Sequence, residues 1–262
     1  DNGDLVKAYT EYARAGDLDP SNIDAHLRAG TILLLAREFE SAARRAELAL
    51  KADPRHVPAH ILLGNARAGM NDTAQAMRTI QEAINLDPSY APAWTALGAV
   101  TFISGRKADA AAGFKKAVEL APNSIEARLA LANYQWAIAA FPDAEKTLKS
   151  ALQIDAQNAA AHRALALLYI TTDRRGEAEP HFRALAVDGA GRLALADYYM
   201  GVGRNAGARR LVEEIERSDE KSDAREAGLR VGTDGRVGVA PTLQVHEHPE
   251  VFAAGDVAAM VG

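Results

Sequence analysis

Four prolines stand 34 residues apart: Pro20, Pro54, Pro88 and Pro122, in the contexts LDP, ADP, LDP and LAP. Ala156 holds the next slot, in IDA. Three further series keep the same step. One is Gly30, Gly64 and Gly98, continued by Ala132 and Ala166; another is Ala42, Ala76, Ala110, Ala144 and Ala178; the last is Ala49, Ala83, Ala117 and Ala151. A fixed period of this length marks an array of stacked units, each too small to bury its own apolar face. The small residues fall where two helices must approach closely. The proline follows the second helix and stops it. Apolar residues between these points recur at helical spacing, as in Ala29, Ile32, Leu33 and Ala36.

AWTALG (93–98), followed by Ala110, Phe114, Ala117 and Pro122, resembles the tetratricopeptide repeat pattern of Trp-x-x-Leu-Gly, Ala, Phe, Ala and Pro. The resemblance covers residues 5–220. It implies an all-α fold, a right-handed superhelical solenoid of antiparallel helix pairs, with a short β-prone appendage at the C-terminus. The units are expected at 23–56, 57–90, 91–124, 125–158, 159–188 and 189–222. Residues 1–22 match only the second helix of a truncated unit, which predicts that the array continues upstream.

Such arrays bind partners on the concave surface lined by the first helix of each pair. The groove positions carried over from the resemblance are Leu27 and Thr31, Ile61 and Asn65, Thr95 and Phe102, Leu129, Asn133 and Trp136, and Arg163. Asn65 and Asn133 offer a donor and an acceptor to an extended peptide. Phe102 and Trp136 are candidate apolar anchors, although their slot, shared with Leu34 and Ile170, serves equally for packing between units. Lysine is absent from all groove slots, so a chaperone tail ending in a carboxylate is not the favoured ligand.

The remaining chemistry is sparse. His26, His60 and His162 occupy one repeat slot, together with Trp94 and Arg128. Successive units place them roughly 8–10 Å apart, too far for one zinc ion, and they read as packing side chains. His246 and His248 form a weak metal pair without a third ligand. GAGRLA (189–194) and GVGRNA (201–206) satisfy a loose dinucleotide pattern, which needs a strand before it; the first is placed in a loop and the second in a turn between helices. No metal site, cofactor or catalytic constellation is expected.

The net charge of −5 argues against wholesale nucleic-acid binding. No apolar stretch is long enough to span a bilayer. Cysteine is absent, which leaves cytosol and periplasm equally open.

From Gly228 the period changes. GLRVGTDGRVGVAP alternates valines around Thr-Asp-Gly and reads as a β-hairpin. The stretch ending VFAAGD (251–256) resembles the end of the flavin domain of single-subunit NADH dehydrogenases and related oxidoreductases; the resemblance implies that Asp256 would meet the ribityl chain if a flavin site formed. The strand–GxGxxG–helix and the nicotinamide domain of such an enzyme have no counterpart here. Residues 223–262 are therefore read as a fusion scar or a remnant that caps the array. A piece of a flavoprotein completed by another chain is the third account. The expected function is a non-catalytic scaffold that holds a protein or peptide partner in its groove. The alternative is a fragment of an FAD-dependent NAD(P)H oxidoreductase fused to the array.

Overall fold

The computed structural model describes residues 2–217, 230–231 and 237–238. Among these are thirteen helices: α1 Asn2–Leu18, α2 Ile23–Leu35, α3 Phe39–Ala52, α4 Val57–Gly69, α5 Thr73–Leu86, α6 Ala91–Ile103, α7 Lys107–Leu120, α8 Ile125–Ala137, α9 Phe141–Ile154, α10 Ala159–Thr171, α11 Arg175–Leu185, α12 Gly189–Gly201 and α13 Asn205–Arg217. Two short strands, β1 Arg230–Val231 and β2 Val237–Gly238, pair antiparallel with Val231 opposite Val237. The fold class is all-α. Asp256, His246, His248 and the flavin-like stretch beyond these strands lie outside the described residues.

The helices form two units, one ending at Ala140 and the other starting at Phe141. In the first, α2 packs on α3, α4 on α5 and α6 on α7; the first helices α2, α4, α6 and α8 also touch in succession. In the second, α9, α10, α11, α12 and α13 pack each on the next.

The periodic small residues sit at these crossings. Ala42, Ala76, Ala110, Ala144 and Ala178 are all 0% exposed, as are Ala49, Ala83, Ala117 and Ala151. A Cβ on Gly64 would meet Ile80 Cγ1 at 2.5 Å, and one on Gly98 would meet the Phe114 ring at 3.0 Å. Close approach thus explains the glycine series.

The ends of the helices follow equally local rules. Asp19, Asp53, Asp87 and Asp155 each follow the last residue of a second helix and accept the N–H two residues on, at 2.9–3.0 Å. These Asx turns start the reversal that the proline slot continues. The next helix is capped by Asn22, Ser124, Asn158 or Asp188, each accepting from the third residue on.

Between the two helices of each pair one residue is left-handed. Arg37, Asn71, Gly105, Ala139, Asp173 and Gly203 have φ of 57–83°. Only two are glycine, and an L-residue there costs roughly 1–2 kcal/mol. Replacing Arg37, which is exposed, with glycine is therefore expected to stabilise residues 2–140 by about 0.5–1 kcal/mol, after the extra freedom of the unfolded chain is subtracted. Urea denaturation followed by tryptophan fluorescence reads this directly; a loss of stability would contradict the strain argument.

The structure corrects one sequence reading. GAGRLA is helix, not loop: it forms the opening turns of α12, behind the Asp188 cap. Gly191 is required by packing, because a Cβ there would lie 1.7 Å from Leu185 O.

Candidate functional site

The first helices of the N-terminal unit line an open cavity of about 460 Å³, within the ~300–1,000 Å³ usual for ligand pockets. α2 supplies Leu27, Thr31 and Leu34; α4 supplies Pro58, Ile61, Leu62 and Asn65; Tyr90 and then Ala91, Pro92 and Thr95 of α6 form a third wall. Ala121 and Ser124, with Glu126, Ala127 and Ala130 of α8, close it. The walls are mostly aliphatic. Thr95 commits its hydroxyl to the Ala91 carbonyl, at 3.4 Å.

Asn65 is the exception. Its side chain is 2% exposed, and its Oδ1 is buried without a hydrogen-bond partner. A buried, unsatisfied amide oxygen costs about 1–3 kcal/mol, and native interiors rarely keep one without a use. Here it belongs to a residue of a cavity wall.

Five sequence-derived groove residues, Leu27, Thr31, Ile61, Asn65 and Thr95, are brought together in this cavity. The others are elsewhere. Phe102 is half-buried and meets the edge of the Tyr134 ring, 6.0 Å between centroids, beside the cluster of Ala99, Ala110, Phe114 and Leu131. Leu129 is buried. Asn133 and Trp136, both half-buried on α8, do not line the cavity. Arg163 is exposed on α10 in the second unit. Near it, Leu167 and Ile170 line a smaller cavity of about 280 Å³ with Arg175, Phe182, Asp197 and Tyr198.

Sequence reasoning missed Pro58, Pro92 and Glu126, although the period held the signal: all three occupy one repeat slot. It also missed Tyr90, which stands where the equivalent residues Asn22, Ser124 and Asn158 cap helices.

A sequence model described as tetratricopeptide repeat matches residues 33–100 and 102–168, together half of the chain. The chain belongs to the tetratricopeptide repeat family. Proteins of this family generally mediate protein–protein interactions. No curated protein matches it. Among solved structures it is similar to TTC0263, a thermophilic tetratricopeptide repeat protein of Thermus thermophilus, at 21% identity and a TM-score of 0.59, covering 64% of this chain and 92% of that one. It is also similar to PilW, a type IV pilus biogenesis factor, at 19% identity and a TM-score of 0.56, covering 78% and 98%. At these identities the likeness is one of fold.

In this tetratricopeptide repeat array the histidine slot has a definite job. His26 Nε2, His60 Nε2 and Trp94 Nε1 lie 3.3, 2.9 and 2.8 Å from the carbonyls of Pro20, Pro54 and Pro88, and His162 Nε2 lies 3.0 Å from that of Ala156. In each case a ring N–H donates six residues back, to the proline slot. The slot thus calls for an N–H donor on a flat ring, which neither helical periodicity nor composition reveals. Arg128, in the same slot, donates to Ser124 O instead, at 3.4 Å.

The second unit carries a charged network twice. The Tyr169 hydroxyl donates to Glu145 Oε1 at 3.0 Å, and Arg174 and Lys149 pair with the same carboxylate. One unit on, the Tyr199 hydroxyl donates to Glu179 Oε1 at 3.1 Å, and Arg204 and Arg183 take the cationic places. Hydrogen bonds from Arg174, against the opposing effect of burial, and then from Lys149 and Tyr169, hold the Glu145 carboxyl down at about 2. Beside it, His162 Nδ1 and His181 Nδ1 are 2.8 Å apart, and the Tyr169 ring stacks on His181. Burial, with the charges of His162 and Lys149 adding, lowers His181 to about 4. Among the described residues no cluster of three or more metal-ligating side chains occurs, and no helix is long and apolar enough to cross a membrane.

Proposed function

We propose that the protein is a non-catalytic scaffold that holds an extended segment of a partner protein in the cavity between α2, α4, α6 and α8. Asn65 carries this reading. Its amide oxygen has no partner in an apolar wall, and once turned to the cavity the side chain offers the acceptor and the donor that complement a peptide group. The aliphatic walls would take the partner's side chains, and Leu27, Thr31, Ile61 and Thr95 would share in the contact. Asn133 and Trp136 would extend the binding surface along α8.

The test uses the full chain and an array of randomised, N-acetylated, C-amidated octapeptides. Asn65→Leu is nearly isosteric and removes an unsatisfied buried polar atom, so the variant is expected to be as stable as the parent or more so. Its peptide capture is nevertheless expected to fall about tenfold or more, as two hydrogen bonds are lost. Unchanged capture, or no enrichment of any peptide by the parent, would remove the reading.

A further inference from the structure

We propose that this cavity selects a basic peptide: a segment that sets a lysine or arginine against Glu126 and apolar side chains against Leu27, Ile61 and Pro92. The inference rests on the peptide-holding reading and narrows it to one class of sequence.

Glu126 is the one carboxylate among the lining residues, and no lysine, arginine or histidine is found with it. It lies exposed in the first turn of α8. Its hydrogen-bond partner is neutral: Ser124 Oγ donates to Glu126 Oε2 at 2.9 Å. The repeat itself provides the comparison. The equivalent residue on α2 is Asp24, which pairs with Arg28 one turn on, at 2.7 Å. On α8 the residue one turn on is Ala130, which also lines the cavity. The same slot thus carries a self-neutralised carboxylate on α2 and an unneutralised one on α8.

Glu126 is exposed, so a charge pair formed with it contributes about 0.2–1 kcal/mol, and its repulsion of an acidic peptide adds to the selection. An acidic side chain in the same place would meet like charge and lose water with no cation to compensate. A flexible lysine or arginine, by contrast, can lay its methylene stem along Pro92 and Ala130 and carry its charge to Glu126. Asn65 holds the backbone and Glu126 reads the charge, two functions placed on two helices.

The same octapeptide array, supplemented with octapeptides cut from residues 218–262, separates the outcomes. The parent is expected to enrich peptides that join a lysine or arginine to apolar residues by about tenfold over their glutamate counterparts. Glu126→Gln should abolish that preference while capture of neutral apolar peptides survives. Glu126→Lys should turn it towards acidic peptides. Both changes are at an exposed side chain, so folding is preserved. Enrichment with no charge preference, or an unchanged preference in Glu126→Gln, overturns the inference and leaves the peptide-holding reading standing. No enrichment at all overturns both. Preferential capture of the chain's own 218–262 peptides, or a concentration-dependent dimer by sedimentation that Asn65→Leu dissolves, overturns it in favour of an intramolecular or a self-associating occupant.

Discussion

Replacing Gly113 with alanine is expected to destabilise residues 2–140 by about 2 kcal/mol, although the same exchange in an unconstrained helix would stabilise by about 1 kcal/mol. Gly113 lies on α7 against α6. A Cβ there would stand 2.7 Å from Gly98 N, 2.8 Å from Gly98 Cα and 2.8 Å from Trp94 O. All three are backbone atoms, so no side chain can rotate away and the two helices must separate. Separation would loosen the stacking of Phe114 on Tyr134, now 5.2 Å between centroids. It would also loosen the 3.0 Å hydrogen bond from the Tyr134 hydroxyl to Lys107 O. Gly113→Val, larger and branched, should prevent α6 and α7 from docking. Both tryptophans, Trp94 and Trp136, are in this unit, so urea denaturation followed by their fluorescence isolates it. Gly176→Ala is the control. It lies in the second unit, its added methyl meets nothing within 4 Å, and a gain of about 0.5–1 kcal/mol is expected, read by hydrogen exchange in α11. If Gly113→Ala is also stabilising, the α6–α7 approach is not as close as described.

Acidification is expected to weaken the second unit in two stages. His181 sits at about 4 in the fold against 6.5 free. Between those values the unfolded chain takes up the proton and the folded chain does not, so stability falls as pH drops from 6.5 to about 4. The hydrogen bonds show why the fold resists. The His162 Nε2 proton is committed to Ala156 O, which leaves His162 Nδ1 as the acceptor for the proton on His181 Nδ1. The facing nitrogens already hold that one proton between them, and a second at His162 Nδ1 would set two N–H groups against each other. Lys149 of α9 adds a further positive charge, and Tyr169 of α10 covers the ring.

Glu145 then takes over. Its carboxyl remains ionised in the fold down to about 2 against 4.5 free, so stability held above 4.5 is lost between 4.5 and 2. Each stage is worth about 3 kcal/mol as an upper bound, before screening by solvent reduces it. Imidazole resonances of His181 followed by NMR should titrate near 4. Hydrogen exchange in α10 and α11, corrected for its intrinsic pH dependence, should show both arms. His181→Gln keeps a donor to His162 and should flatten the first arm alone, whereas Glu145→Gln should flatten the second. A His181 that titrates at 6.5 or above would overturn the account.

Parts of the proposed binding region are legible in the sequence. Leu27, Thr31, Ile61, Asn65 and Thr95 fall in repeat slots that a helical period turns to one side, and the cavity gathers them. Phe102 shows the limit. Its slot alone cannot say whether the ring faces a ligand or a neighbour, and the neighbour is Tyr134. Glu126 was missed for a related reason. A carboxylate in a first helical turn is commonplace; what distinguishes this one is a missing cation one turn on and a cavity in front of it.

The sequence by itself determined the helix pairs, their period and the residues of closest approach. Those depend on covalent and local facts: where proline stops a helix, where a missing Cβ permits contact, and which face repeats every 3.6 residues. Only the tertiary structure decided which side chains share the cavity, that the Asn65 Oδ1 has no partner, that an N–H from a flat ring ties the proline slot, and that His162 and His181 face each other across α10 and α11. Each of these joins atoms distant along the chain, and their meeting is fixed by packing between helices, which no local pattern encodes.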